Sequence, residues 1–157
     1  MLRLVKKHWT ALCAGVVVFQ IRLLLRVWSL PRVLVALSPA RVTEARDNSV
    51  MDDVTYYVDR WLQLFPYNKK GNCFPRSLAL YWFARRSGYP VLFHCGVRKE
   101  VFDLDGHAWL MLDHHPFHET SQHRQRFTVT FSYPTDSLSG GQQDTGNLHQ
   151  KNRRAMF

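Results

Sequence analysis

The stretch NCFPRSLALYWFARRSGYPVLFHCGVRKEVFDLDGHAWLML, residues 72–112, decides the fold, because two periodicities meet inside it. Its first half predicts a helix opening at Asn72 or Cys73. Pro75 is tolerated in the first turn, where its missing N–H has no intrahelical use. Leu78, Tyr81 and Trp82 form one face, Arg85 and Arg86 suit the negative C-terminal end, and Gly88 with Pro90 beyond it is the stop. After Pro90 the period changes. VLFHCGV reads as a buried strand, and HAWLMLD as a second one of period two, with His107, Trp109 and Met111 on one side.

Working outward, Val54, Tyr57, Val58, Trp61, Leu62 and Phe65 recur at three- and four-residue steps and predict another helix. Ser49 is its cap, Asp52 and Asp53 suit its positive end, and Pro66 with YNKKGN ends it. Upstream, an apolar stripe runs through residues 18–37, with Pro31 bending or breaking it. Pro39 and ARVTEARDN mark a connection or a short helix. Downstream come a turn at HHP, a short strand FHET and a strand in RFTVTFSY. Helices first and an antiparallel meander after them make an α+β domain.

At 157 residues the chain accommodates one domain with a real core. Its 46% hydrophobic and 21% charged residues are those of an ordinary globular protein. The formal charge of +9, from 21 Lys/Arg against 12 Asp/Glu, favours anionic or dipolar partners. No acidic residue precedes Glu44, whereas Arg3, Lys6, Lys7, Arg22, Arg26, Arg32 and Arg41 do. No nucleic acid is expected, since RNA-binding sheets interleave aromatics with glycine on strands and this basic region reads as helical. Cys13, Cys73 and Cys95 are odd in number and far apart, which fits a reducing, cytoplasmic compartment rather than a disulfide framework.

The run TALCAGVVVFQI, residues 10–21, follows a Lys-Lys pair like a signal-peptide core. Arg22 interrupts it after a dozen residues, short of the roughly 20 that span a bilayer, and no small-residue cleavage site follows. The expectation is an amphipathic helix packed on its own domain. Contact with a partner or a membrane is the alternative.

A catalytic thiol needs thiolate character, a base and a means of holding an oxyanion. Cys73 stands where a helix begins, and free backbone N–H groups at such an end, here around Asn72 and Phe74, favour an anion. His107 opens a strand 34 residues later, and Glu119 lies 12 residues beyond it, placed to orient the imidazole. Asp113 is the fallback for that third role. Spacing alone fits a small buried hydrophobe at position 73 as well as a nucleophile. Arg76 and Arg98 either steer an acidic peptide or face solvent, and Trp109 is a core residue or a substrate contact. His94, Cys95, His114, His115 and His118 lack a recognised metal-ligand spacing, so neither metal nor cofactor is expected.

The same stretch resembles the lasso peptide biosynthesis B proteins, in their stand-alone C-terminal, transglutaminase-like leader-peptidase form. The resemblance rests on Cys73, Pro75, Arg76-Ser77-Leu78, Arg85-Arg86, Gly88, Gly96-Val97-Arg98 and His107-Ala108-Trp109, and covers about residues 70–120. It implies a transglutaminase-like (papain-like) cysteine protease fold with Cys73 as nucleophile and His107 as base. The family's acidic third member is typically Asp, and Glu119 stands there in this chain. On this reading residues 1–45 are a basic amphipathic helical region, 46–133 the catalytic domain, and 134–157 a polar, poorly ordered tail.

The implied activity is removal of the leader from a ribosomally made lasso precursor. The implied partners are that precursor, leader plus core, a separately encoded leader-recognition protein and an ATP-dependent macrolactam-forming cyclase. A thiol acyltransferase on the same triad and a catalytically weak peptide-binding module of the same fold are the competing readings.

Overall fold

The computed structural model of the chain describes residues 2–39, 46–65, 71–99, 104–119 and 127–134, with side chains from residue 5 onward. Four helices precede the sheet: α1 (Leu2–Val27), α2 (Leu30–Leu37), α3 (Asn48–Gln63) and α4 (Cys73–Arg86). The strands are β1 (Leu92–Lys99), β2 (Leu104–Leu112), β3 (His115–Pro116) and β4 (Thr128–Tyr133). The expected α+β arrangement is the one observed. The tail expected over 134–157 lies, from residue 135 on, outside the described residues, as do residues 40–45 and 66–70.

Helix α4 is the axis of the molecule. Its Pro75, Ser77, Leu78, Ala79, Leu80, Tyr81 and Ala84 are buried at successive positions rather than on the single face expected. A helix buried nearly all round has neighbours on every side, and α4 packs against α1, α2, α3, β1 and β2. It ends as the sequence predicts. Gly88 takes φ 81°, and the Tyr89 N–H reaches back 3.0 Å to the Ala84 carbonyl. Arg86 then lies over the Trp82 ring and donates to the Leu37 carbonyl, tying α2 to α4.

The cap of α3 differs from the expectation. Asp47 takes the N-cap, its carboxylate accepting from both the N–H and the hydroxyl of Ser49. The helix begins at Asn48, so Ser49 lies inside its first turn and its own N–H is one of the orphan donors that the Asp47 carboxylate satisfies. Between α1 and α2 the chain breaks at Trp28 and Ser29, and Pro31 occupies the first turn of α2, where it needs no donor.

The sheet runs β3-β2-β1-β4 with antiparallel pairing throughout, so it is not the expected meander. The chain leaves β3 and returns to the far edge, placing β1 in the interior. Phe117, His118 and Glu119 of the expected strand FHET are in a bend, and Thr120 lies outside the described residues. Asp113 and His114 both take positive φ, a pattern that turns tightly enough for pairing to resume at once at His115. Proline at 116 has no ladder N–H and His118 takes φ 51°, so pairing stops after two residues.

Two close approaches set the packing. Gly15 on α1 lies under the Trp61 ring, whose Nε1 donates 2.7 Å to the Ala11 carbonyl. On β1, a side chain at Gly96 would lie 2.5 Å from the Thr128 carbonyl oxygen and 3.0 Å from the Trp109 ring. The register of β4 shifts at that point, between Cys95 and Gly96. Because the first obstacle is backbone, Gly96→Ala is expected to destabilise the fold by about 1–3 kcal/mol, as overpacking does. A lowered midpoint in thermal or urea unfolding checks this.

Candidate active site

Cys73 is the first residue of α4, and its sulfur lies 3.9 Å from the Gly106 carbonyl oxygen on β2. The next residue on β2 is His107. One turn into α4, the buried Ser77 hydroxyl donates 2.8 Å to the carbonyl of Ala108, the residue after His107. Helix start and strand are thus pinned together at one register, sulfur beside imidazole. The Cys73 thiol is close enough to His107 to be the largest influence on its pKa.

His107 Nε2 lies 2.8 Å from Glu119 Oε1, with only 19% and 15% of the two side chains exposed. With Nε2 engaged by the carboxylate, Nδ1 is the nitrogen left for the thiol. The ring stacks on Trp109 with centroids 5.9 Å apart, and Phe127 covers it at 5.3 Å. Trp109, which also stacks with His94, is buried and forms the floor of the site.

The bonds to Cys73 and to Glu119, in that order, push the His107 pKa up to about 9, against an opposing effect of burial. Both partners favour the charged ring. The sign of the linked stability follows. A folded-state pKa above the unfolded value of 6.5 contributes stability that is complete below 6.5 and lost as pH rises through about 9.

Glu119 is carried on a short bent segment after β3 rather than on a strand. That segment is held by groups that sequence reading assigned differently. Arg76 grips Asp59 of α3 through two bonds, at 2.7 and 3.2 Å, and donates a third at 3.1 Å to the His118 carbonyl next to Glu119. Phe117 adds a backbone bond to Leu110 and a ring contact with Tyr89. Arg76 therefore holds the segment that carries Glu119 against α3. Asp59 was missed, because nothing in its local sequence marks it as a partner of a residue 17 positions away.

Asn72 occupies the N-cap of α4, yet its side chain does not cap. Its amide oxygen accepts from Arg22 at 3.1 Å and its NH2 faces the Leu62 carbonyl at 3.5 Å. Pro75 has no N–H and the Arg76 N–H goes to the Asn72 carbonyl. The first-turn donors beside the sulfur are therefore the backbone amides of Cys73 and Phe74. Asp113 sits in the hairpin turn at the far end of β2, about 20 Å from His107 at the rise of a strand, and does not join the site.

Arg98 bonds Asp105 at 2.9 Å and lies over the Phe127 ring. Cys95, on β1, has its thiol pKa pushed up, mainly by burial. His94 meets Ser132, His118 faces Asp52 at 3.7 Å, and His114 and His115 are exposed in or beside the turn.

A thiol at the N-terminus of α4 thus lies against a histidine on β2, and a carboxylate from the segment after β3 reaches the same ring. The transglutaminase-like superfamily matches residues 6–132. The chain belongs to that superfamily. The match takes in α1 and runs through most of β4, so the helices before the sulfur fall within the family's extent. No curated protein and no solved structure matches the chain. Transglutaminase-like proteins are typically cysteine peptidases or acyltransferases, and the chain has the fold for either chemistry.

The geometry predicts a titration. Followed by NMR, the His107 ring is expected to titrate near pH 9. Its midpoint should fall towards 6.5 in Glu119→Gln, and part of the way in Arg76→Ala, which frees the segment carrying the carboxylate. An unchanged midpoint in Glu119→Gln would contradict the assignment.

Proposed function

We propose that the chain is a cysteine peptidase that removes the leader from a ribosomally made lasso peptide precursor. The observation that carries the chemistry is the position of His107, hydrogen-bonded to Glu119 and beside the Cys73 thiol, whose sulfur lies 3.9 Å from the carbonyl of the preceding Gly106. The choice of substrate rests on the resemblance of residues 70–120 to stand-alone lasso leader peptidases.

Cys73 passes its proton to His107, whose two neighbours favour the imidazolium. The sulfur attacks the carbonyl at the leader–core junction, and the amides of Cys73 and Phe74 receive the developing oxyanion. His107 then gives its proton to the departing amine of the core, leaving the leader as a thioester on Cys73. Water, deprotonated by the same imidazole, hydrolyses the thioester and restores the thiol. Glu119 holds the ring in register and stabilises its positive charge throughout.

Precursor and its leader-binding protein, incubated with the chain, should yield two fragments by mass. Cys73→Ala and His107→Ala are expected to abolish cleavage while keeping the wild-type circular dichroism. Glu119→Gln should slow turnover by roughly 10²-fold or more, and Asp113→Asn should leave it unchanged. An amide adduct in place of two fragments would make the chain an acyltransferase on the same residues.

Iodoacetamide at slightly acidic pH should label Cys73 well before Cys13 and Cys95, since it alone stands at a helix start beside an imidazolium. Equal labelling of all three would favour a binding module that has lost catalysis.

A further inference from the structure

Helix α1 has two apolar faces. Ala14, Val17, Val18 and Ile21 are buried beneath it. On the opposite side Trp9, Leu12, Val16, Phe19, Leu23 and Val27 form a continuous stripe, from 47% exposed at Val16 to 73% at Val27. The stripe is about 27 Å long at the rise of a helix. It continues onto α2, where Trp28, Pro31, Arg32, Val35 and Ala36 line an open hollow of about 530 Å³. An apolar surface of this extent marks an interaction site.

We propose that this face lies in the plane of an anionic lipid surface. Its charges choose the occupant. Exposed Lys6 and Lys7 precede the stripe, exposed Arg26 and Arg32 follow it, and no acidic residue occurs before Glu44. Trp9 and Trp28 mark its two ends, the places where amphipathic indoles favour a headgroup boundary. The positions flanking the middle of the stripe include Cys13 and Gln20, which carry no charge to specify a partner helix. A second copy is disfavoured as well. Lys and Arg are the charged residues that α1 carries, with no acid among them, so a second copy in either direction adds like charge to like charge.

The helix lies flat and does not cross. Val5–Val27 is long and apolar enough to span a bilayer, with mean hydropathy 1.8. Spanning would break the Trp61 bond to Ala11, the seat of Gly15 under that ring, and the Arg22 bond to Asn72 beside Cys73. Lying in the plane covers the outward stripe and leaves all of these intact.

Co-sedimentation of the full chain with vesicles tests this. Vesicles of equal parts phosphatidylcholine and phosphatidylglycerol should bind it, and phosphatidylcholine alone at least tenfold more weakly. Lys6→Glu with Lys7→Glu, exposed positions away from the core, should weaken anionic binding at least about twentyfold, from the electrostatic worth of each basic residue. Phe19→Ser should weaken it on both vesicle types while circular dichroism stays unchanged. Equal binding to neutral and anionic vesicles, or none to either, would overturn the proposal. So would a concentration-dependent dimer in light scattering that Phe19→Ser abolishes, since a second copy would then be the occupant.

Discussion

The hydrogen bond from the Ser77 hydroxyl to the Ala108 carbonyl, 2.8 Å long and buried, is the constraint on which the rest depends. A helix packed on a sheet by apolar contact alone can slide and rotate by fractions of a turn at little cost, because such contact is non-directional. A buried hydroxyl bond cannot. Leaving its carbonyl unsatisfied costs about 1–3 kcal/mol, enough to select one register. Ser77 is one turn beyond Cys73, and Ala108 follows His107 directly. Fixing those two fixes sulfur and imidazole with them.

Around that bond the site is built in layers, each constraining the next. Trp109 gives His107 a flat floor and Phe127 covers it, leaving the ring nitrogens to be claimed in plane. Glu119 claims one, and Arg76 and Asp59 hold the segment from which it reaches. Gly96 is part of the same design, since any side chain there would push β4 away and disturb the indole under His107. The elevated basicity of His107 is the electrostatic outcome of these contacts and not a property of its position in the chain.

The helices before the sulfur also belong to this unit. Arg22 of α1 bonds Asn72 and lies over Phe65, so the basic segment reaches the residue next to Cys73. Helix α1 packs on α3 and α4, and Ala14, Val17, Val18 and Ile21 on that side belong to the common core. The same helix thus reaches the residue beside Cys73 on one side and presents an apolar face on the other.

Much of this was legible in the sequence, because local physics wrote it there. The helix start at Cys73, its stop at Gly88 and the switch to period two after Pro90 all follow from properties of a few neighbouring residues, whereas His107 was singled out by its spacing from Cys73 and the family resemblance. Glu119 was found by its distance from His107 together with a family pattern. Four features were not legible. Return of β4 to the far edge of β1, burial of α4 on all sides, the true cap at Asp47 and the grip of Arg76 on Asp59 each depend on groups brought together by folding. The sequence by itself determined which elements form and which of them bear the candidate side chains, since backbone propensity and hydrophobic period act over a few residues. Only the tertiary structure decided which nitrogen faces which partner and which arginine is structural, because those outcomes rest on angstrom-scale contacts between segments far apart along the chain.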